Sequence, residues 1–186
     1  MSGTIHLIVE SDKDIMVMKA ILEARNIFVK IRPLPPIDKL GGISRMAKSL
    51  SQNIKTARKS RKQNDCIVVL HDADELTTPD NRGDYNSIQA ICKEYKEVIH
   101  MVAHDELESW ILSNKGICDW LGITQKNCDN VRLPSDKLNS LVRAKTGRDF
   151  TGLTREKVLT HLSGDTKSPS LQKALSHLEN APCLRD

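Results

Sequence analysis

Cys-Ile-Val-Val-Leu-His-Asp-Ala-Asp-Glu, residues 66–75, is the stretch of sequence that decides the fold. Five apolar residues follow one another before the first charged residue, which predicts a central strand covered on both faces. A similar stretch, Ile-His-Leu-Ile-Val-Glu-Ser-Asp-Lys-Asp at residues 5–14, predicts a second buried strand. Each of these strands is followed directly by acidic residues.

Strand and helix patterns alternate around these two stretches. Further strands are predicted at 27–34 and 98–103, helices at 12–25, at 43–62 and up to Tyr95, and a loop at 75–84. This alternation predicts an α/β fold with a largely parallel sheet and helices on both faces. Beyond residue 104 the pattern is helical, at 105–121, 135–146, 154–162 and 168–179. We therefore expect an α/β core over 1–104 and a helical C-terminal extension over 105–186 packed on it.

The composition sets broad limits on location and partners. The chain has 186 residues and a net charge of +4, which permits nucleic-acid binding without requiring it. No apolar run approaches the roughly 18 residues of a membrane helix, and the N-terminus lacks the flanks of a signal peptide. The five cysteines are odd in number and have no C-x-x-C spacing, which favours reduced thiols over disulfides or a zinc site. We expect a cytoplasmic protein with no membrane partner.

The acidic residues after the two buried strands predict a metal site. Glu10 follows the first strand, and Asp14 lies one helical turn further on. Asp72 and Asp74 are alternate residues of an extended segment, so both carboxylates can face one ion. Carboxylates gathered at the carboxyl ends of parallel strands repel one another unless a cation lies between them. Oxygen ligands of this kind suit Mg²⁺ or Mn²⁺, which predicts metal-dependent phosphoryl transfer.

A third acidic cluster, at residues 104–110, follows the strand predicted at 98–103. Glu108, or Glu106 in its place, can supply or orient a metal ligand, but acids at a helix start also interact favourably with the helix dipole. For Glu108 both interpretations stay open, whereas Asp105 is interpreted as a helix-start acid. Trp110 is expected to pack in the core.

The helix predicted at 43–62 combines an apolar stripe with a basic flank. The stripe consists of Ile43, Met46, Ala47, Leu50, Ile54 and Ala57, at spacings of three and four. The basic residues are Lys48, Lys55, Arg58, Lys59, Arg61 and Lys62. Such a row can follow a phosphate backbone or be an ordinary solvated helix face. No acid occurs between Gly41 and Asn64, which counts against the second interpretation without excluding it. With so few aromatic residues, we expect binding to be led by the backbone and insensitive to base sequence.

These motifs together resemble a known family. The pattern V-E-x-x-x-D at residues 9–14, followed by an apolar strand and D-x-D at Asp72 and Asp74, resembles the Rossmann-like TOPRIM domain of topoisomerases, primases and OLD-family nucleases. The E-x-W of Glu108 and Trp110 is similar to small bacterial TOPRIM-related proteins found with anti-phage defence genes. The resemblance covers about residues 4–104. It implies a general acid/base or metal-binding role for Glu10 and Mg²⁺ binding by Asp72 and Asp74.

The resulting hypothesis is a TOPRIM-like, Mg²⁺- or Mn²⁺-dependent DNA endonuclease or nickase of anti-phage defence. Its catalytic residues would be Glu10, Asp72, Asp74 and Glu108, and its metal ligands Glu10, Asp14, Asp72 and Asp74. The sequence contains no phosphate-binding P-loop, so any ATPase would be a separate partner, and a homodimer is a further expected partner.

Two alternatives remain at this stage. The first is a catalytically silent TOPRIM-like module that docks on an ATPase or senses a phage protein. It is favoured by Ser11, which stands where the family usually has glycine. The second is a haloacid-type phosphatase with Asp72 as nucleophile, although the threonine and lysine signatures of that family are not convincingly placed.

Overall fold

The structure, a computed structural model, describes residues 3–34, 42–73 and 81–184. The strands are β1 (Thr4–Ile8), β2 (Lys30–Pro33), β3 (Cys66–Asp72) and β4 (Val98–Ala103). The helices are α1 (Asp12–Ala24), α2 (Ile43–Ser60), α3 (Asn81–Glu94), α4 (Leu107–Leu112), α5 (Lys115–Leu121), α6 (Pro134–Thr146), α7 (Gly152–Leu159) and α8 (Pro169–Glu179). A 3-10 turn at Pro182–Leu184 follows the last of them.

The described strands form one parallel sheet in the order β2-β1-β3-β4. Side chains alternate across the central strand β3, as its apolar run predicts. Val68 and Leu70 belong to the core beneath α1 and the C-terminal helices, whereas Ile67 and Val69 belong to the core beneath α2 and α3. The α/β fold with a parallel sheet and helices on both faces is therefore confirmed.

The apolar stripe of α2 is also confirmed. All six of its members are buried, between 0% and 8% exposed, and they pack against the sheet. The six basic side chains predicted beside the stripe are all exposed. The spacing of apolar and basic residues in the sequence therefore predicts both the buried and the exposed face of this helix.

Three predicted element boundaries are wrong. The loop expected at 75–84 ends earlier, because α3 begins at Asn81, and residues 75–80 lie outside the described residues. The strand expected at 27–34 is shorter, since only Lys30–Pro33 pairs with β1. The single helix expected at 105–121 is two, because Asn114 caps α5 by accepting from the backbone N–H groups of Gly116 and Ile117.

The C-terminal helices share the hydrophobic core on the α1 face of the sheet. Trp110 of α4, 1% exposed, lies in this core, as the sequence predicts. Helix α8 packs against the edge strand β4. None of the described helices is both long enough and apolar enough to cross a membrane.

The expectation of fully reduced cysteines is wrong for one pair. Cys66 and Cys183 form a disulfide, with their Cα atoms 5.5 Å apart, that ties the C-terminal segment to the start of β3. Cys92, Cys118 and Cys128 are free and buried. Because 117 residues separate the bonded pair, no sequence spacing signals it. Only the packing of the last helical segment beside Gly3, whose N–H donates to the Cys183 carbonyl at 3.1 Å, brings the two together.

Candidate active site at the carboxyl edge of the sheet

The acidic residues that follow β1 and end β3 meet because these strands are neighbours and run parallel. The Asp72 backbone N–H donates to Glu10 Oε1 at 3.0 Å, which fixes the glutamate beside the end of β3. Asp72 Oδ1 accepts from the Leu107 N–H at 2.9 Å, at the start of α4. No described residue donates to the other carboxylate oxygen of Asp72. The sequence prediction that Glu10 and Asp72 lie together agrees with this geometry.

The first turn of α1 adds a third carboxylate. The Ser11 N–H donates to Asp14 Oδ2 at 2.8 Å, which is half of a capping box. Asp14 is only 3% exposed, so its carboxylate is held against the turn that follows Glu10. Ser11 has a φ of −151°, an extended conformation open to any residue. Serine at this position therefore causes no backbone strain.

Glu108 enters the site through an ion pair that the sequence analysis did not anticipate. Lys13 Nζ lies 3.1 Å from Glu108 Oε1 and 3.3 Å from Oε2, so the ammonium spans both carboxylate oxygens. The Glu108 side chain is 5% exposed and that of Lys13 is 26% exposed. Glu106 is occupied elsewhere, because its Oε2 accepts from the Ser135 N–H at 2.7 Å near the start of α6. Of the two glutamates, Glu108 is the one that belongs to the site.

The pKa values reflect this crowding of charges. Burial raises the pKa of Asp72 well above its usual range, Lys13 opposes the rise, and the charges of Glu10, Asp14 and Glu108 add to it. Burial likewise raises the pKa of Asp14. The pKa of Lys13 is raised because Glu108, Asp72 and Asp14 outweigh the effect of its burial. Lys13 is thus the cation that opposes the rise in pKa at both Asp72 and Asp14.

The donor set fits a hard divalent cation of the kind that uses few protein ligands. Mg²⁺ is usually held by one or two carboxylates, with water and substrate phosphate completing its shell. Glu10 and Asp72, which are joined by the bond from the Asp72 N–H to Glu10 Oε1, supply two such carboxylates. Within the described residues no three His, Cys, Asp or Glu side chains are close enough to enclose an ion. Asp74, predicted as a further ligand, lies outside the described residues.

Replacing Lys13 with methionine is expected to lower the free energy of unfolding by about 1–3 kcal/mol at neutral pH. The change leaves the buried Glu108 carboxylate without its partner, which is more costly than loss of an exposed pair. Urea denaturation measures the effect. Lys19→Met is the matched control, because Lys19 pairs only with the exposed Glu23 at 3.7 Å and should change stability by less than about 0.5 kcal/mol. Equal effects of the two variants would contradict a structural role for the Lys13–Glu108 pair.

His71, beside Asp72, is a packing residue. It is 0% exposed, and its Nδ1 lies 2.7 Å from the Asp72 carbonyl oxygen, to which it must donate. Its Nε2 is then an acceptor for His100 Nε2–H, at 2.8 Å. The two rings stack with centroids 5.0 Å apart, and Tyr85 meets the His71 ring edge-on. Both histidines are therefore neutral in the folded protein.

This histidine pair predicts a loss of stability in acid. Burial lowers the pKa of His71 and of His100 to about 4, below the 6.5 of an exposed histidine. The unfolded chain therefore takes up protons between pH 6.5 and 4 that the folded chain excludes, so stability is present above this window and is lost as pH falls through it. Relative to His100→Gln, the wild type is expected to lose about 1–2 kcal/mol between pH 7 and 5 in urea denaturation. A difference in the free energy of unfolding between wild type and His100→Gln that stays constant from pH 7 to pH 5 would contradict this prediction.

The basic side chains of α2 do not surround the carboxylates. Arg58 Nε lies 2.8 Å from Glu97 Oε1, just before β4 begins, and the Lys62 N–H donates to Asp65 just before β3 begins. The second half of α2, which carries Lys55, Arg58 and Lys59, therefore lies at the amino edge of the sheet, as do Arg61 and Lys62 just after its end. The acidic site lies at the carboxyl edge, about 20 Å away along β3. Lys48, nearer the start of α2, is closer to the acidic edge.

Two residues of the site were missed by the sequence analysis, and both are single side chains without a motif. Lys13 was passed over as part of the acidic stretch, although its place three residues after Glu10 on a helix start was a usable signal. His100 gave no signal, because its partner His71 lies 29 residues away and is reached only through β3–β4 pairing.

The fold and site define the class of the protein: a parallel α/β protein with a carboxylate cluster at the carboxyl edge of its two central strands. The family model described as "Protein of unknown function (DUF3226)" matches residues 4–122. The chain belongs to this family, because the match spans more than half of its length. The matched region runs from β1 through α5 and includes Glu10, Asp72 and Glu108. No curated protein and no solved structure shows significant similarity to the chain.

Proposed function

We propose that this protein is a TOPRIM-like, metal-dependent nuclease that hydrolyses phosphodiester bonds, acting on DNA as an endonuclease or nickase. The observation that carries the proposal is that Glu10, Asp14 and Glu108 lie close enough to Asp72 for their charges to raise its pKa, at the carboxyl edge of neighbouring parallel strands. Such a concentration of charge is costly without a cation, and it is useful where a phosphate must be reached through one.

The contacts of the carboxylates suggest a division of roles. Glu10 and Asp72 would hold Mg²⁺ or Mn²⁺, together with Asp74 as the sequence predicts. Asp14, which is 3% exposed and belongs to the capping box of α1, and Glu108, which is paired with Lys13, would orient the site. The bound ion would supply Lewis-acid activation of the attacking oxygen and charge stabilisation at the leaving oxygen. Lys13 would stabilise the folded arrangement of these side chains by balancing the negative charge of Glu108.

The wider context rests on the resemblance and on composition. The exposed, acid-free basic face of α2 supports binding to a nucleic-acid backbone. A role in anti-phage defence, a partner ATPase and a homodimer belong to the proposal on the strength of the resemblance alone. A cytoplasmic location, expected from the cysteine spacing and the N-terminal sequence, is also part of the proposal. The Cys66–Cys183 disulfide is unusual for it, because reducing compartments keep thiols reduced.

Incubation with supercoiled plasmid and with single-stranded circular DNA tests the proposal. In Mg²⁺ or Mn²⁺ the pure protein is expected to nick or cut at least one of them, and EDTA is expected to stop the reaction. Glu10→Gln, which removes the charge of the residue bonded to the Asp72 N–H, should be inactive. Cleavage that persists in EDTA or in Glu10→Gln would overturn the assignment of this site.

One observation favours a second candidate, the catalytically silent module that docks on an ATPase or senses a phage protein. All four carboxylates are already engaged inside the chain. Glu10, Asp72 and Asp14 each accept from a backbone N–H, and Glu108 accepts from the Lys13 ammonium. A site balanced in this way can serve as a rigid edge without binding a metal. Co-purification with a larger partner, together with no cleavage under any metal condition, would establish this candidate instead.

A further inference from the structure

A trench runs along the outer edge of β4, between α3 and α8. Its first part is a cavity of about 720 Å³ lined by residues of all three elements. Ala73, the neighbour of Asp72, and His104 line its carboxyl end, and Tyr85, His100 and Lys173 line its walls. Strand β4 is at the end of the sheet order, so its outer edge has no strand partner among the described residues.

A second cavity, of about 600 Å³, continues the trench toward the amino edge of the sheet. Ile99 and His177 line both cavities, so the two meet beside β4. The basic residues that line the second cavity are Arg58, Arg61, Lys62 and Lys96. The trench therefore runs from the carboxyl edge of the sheet, beside Ala73 and His104, to the basic end of α2, about 20 Å away along the strand direction.

The charges along this trench select a polyanion. The basic groups reach from Arg61 and Lys96 at one end to Lys173 in the first cavity. Its acidic residues are already satisfied: Asp65 accepts from the Thr4 and Lys62 N–H groups, and Asp129 accepts from Ser168 Oγ and the Ser170 N–H. Glu97 is paired with Arg58. The exposed imidazole rings of His104 and His177 add flat surfaces of the kind that bases stack on.

The shape of the trench favours the single-stranded form of nucleic acid. The trench follows the open edge of β4 between α3 and α8, which pack on opposite faces of the sheet. A single strand can lie extended along one strand edge in this way. We propose that this trench binds single-stranded nucleic acid and leads its phosphate backbone from the basic end of α2 past His100 to the carboxylates. The inference rests on the proposed function only in taking those carboxylates as the reaction centre.

Fluorescence anisotropy without divalent metal tests the trench separately from cleavage. The probe is a fluorescein-labelled oligothymidylate of about 15 nucleotides, compared with a labelled hairpin duplex of similar charge. The wild type is expected to bind the single strand at least about tenfold more tightly than the duplex. Lys173→Ala and Lys96→Ala, both exposed side chains, should each weaken single-strand binding about two- to fivefold, and together about tenfold. Lys19→Ala is the matched control, since Lys19 is exposed on α1 and lines neither cavity of the trench; it should bind as the wild type does.

The outcomes separate the trench from the nuclease. Equal affinity for duplex and single strand, or wild-type affinity in the Lys173→Ala/Lys96→Ala double variant, overturns the trench even if the protein cuts plasmid. Binding of an extended peptide but not of the oligonucleotide overturns it as well, and would identify β4 as a strand-pairing edge. Single-strand binding that depends on Lys173 and Lys96, without any metal-dependent cleavage, supports the proposed binding trench and contradicts the proposed nuclease activity.

Discussion

Replacing Asp72 with asparagine is expected to reduce metal-dependent cleavage by at least about a hundredfold while the protein remains folded. A carboxylate lost from a metal site removes several kcal/mol of charge stabilisation, and each 1.4 kcal/mol is a factor of ten in rate. Asparagine keeps an oxygen that can accept from the Leu107 N–H, as Asp72 Oδ1 does at 2.9 Å. Alanine would lose that bond as well, so asparagine separates charge from structure more cleanly.

The same variant makes a prediction about stability with a definite sign. Because the pKa of Asp72 is raised by burial and by its acidic neighbours, the ionised form destabilises the folded protein relative to a neutral side chain. Asp72→Asn should therefore be at least as stable as the wild type above the folded pKa. Its advantage should disappear as pH falls to the ordinary carboxyl pKa, where the wild-type carboxyl is protonated in both states. Urea denaturation at several pH values measures this difference.

The control for both measurements is Asp136→Asn, at an exposed carboxylate in the first turn of α6. It should change neither cleavage nor the pH dependence of stability. If Asp72→Asn cleaves DNA at the wild-type rate, Asp72 takes no part in the reaction. If Asp72→Asn is less stable than the wild type at pH 8, the Asp72 charge is already balanced by a partner within the chain. The site then does not need a cation.

Replacing Trp110 with alanine is expected to lower the free energy of unfolding by about 3–5 kcal/mol, the range for large buried aromatic residues. Trp110 is 1% exposed, and its indole Nε1–H donates to Ser170 Oγ at 2.7 Å, on α8. The substitution leaves a cavity and removes the link between α4, which carries Glu108, and α8, which forms one wall of the trench. Equilibrium denaturation in urea measures the loss.

Two further variants make this prediction specific. Trp110→Phe fills most of the space and loses only the indole hydrogen bond, so it should cost less than half as much as alanine. Trp120→Ala, at a partly exposed ring that stacks on His161 with centroids 4.9 Å apart, should also cost much less. A loss below about 2 kcal/mol in Trp110→Ala would show that α4 and α8 are held together by other contacts.

The sequence predicted the parts of the structure that depend on local patterning. Runs of apolar residues marked β1, β3 and β4, and the spacing of three and four marked the buried stripe of α2. Because parallel strands share one carboxyl edge, the positions of Glu10 and Asp72 relative to the buried strands were enough to predict that their side chains lie close together. The sheet order was not encoded in any such pattern.

The rest depended on contacts between residues distant in sequence. The break between α4 and α5 follows from Asn114, whose side chain also accepts from the Ser163 N–H at 3.0 Å, 49 residues away. The disulfide, the histidine pair and the trench arise in the same way, from the packing of β4, α8 and the C-terminal segment around the sheet.

The sequence by itself determined the strands, the helix faces and the acidic residues at the strand ends, because periodicity and strand polarity are local properties. Only the tertiary structure decided that Lys13 lies across Glu108 and that the basic end of α2 is far from the carboxylates. It also decided that an open strand edge joins the two. These are distances between elements, and a linear pattern does not contain them until the strand order and the packing of helices on each face are fixed.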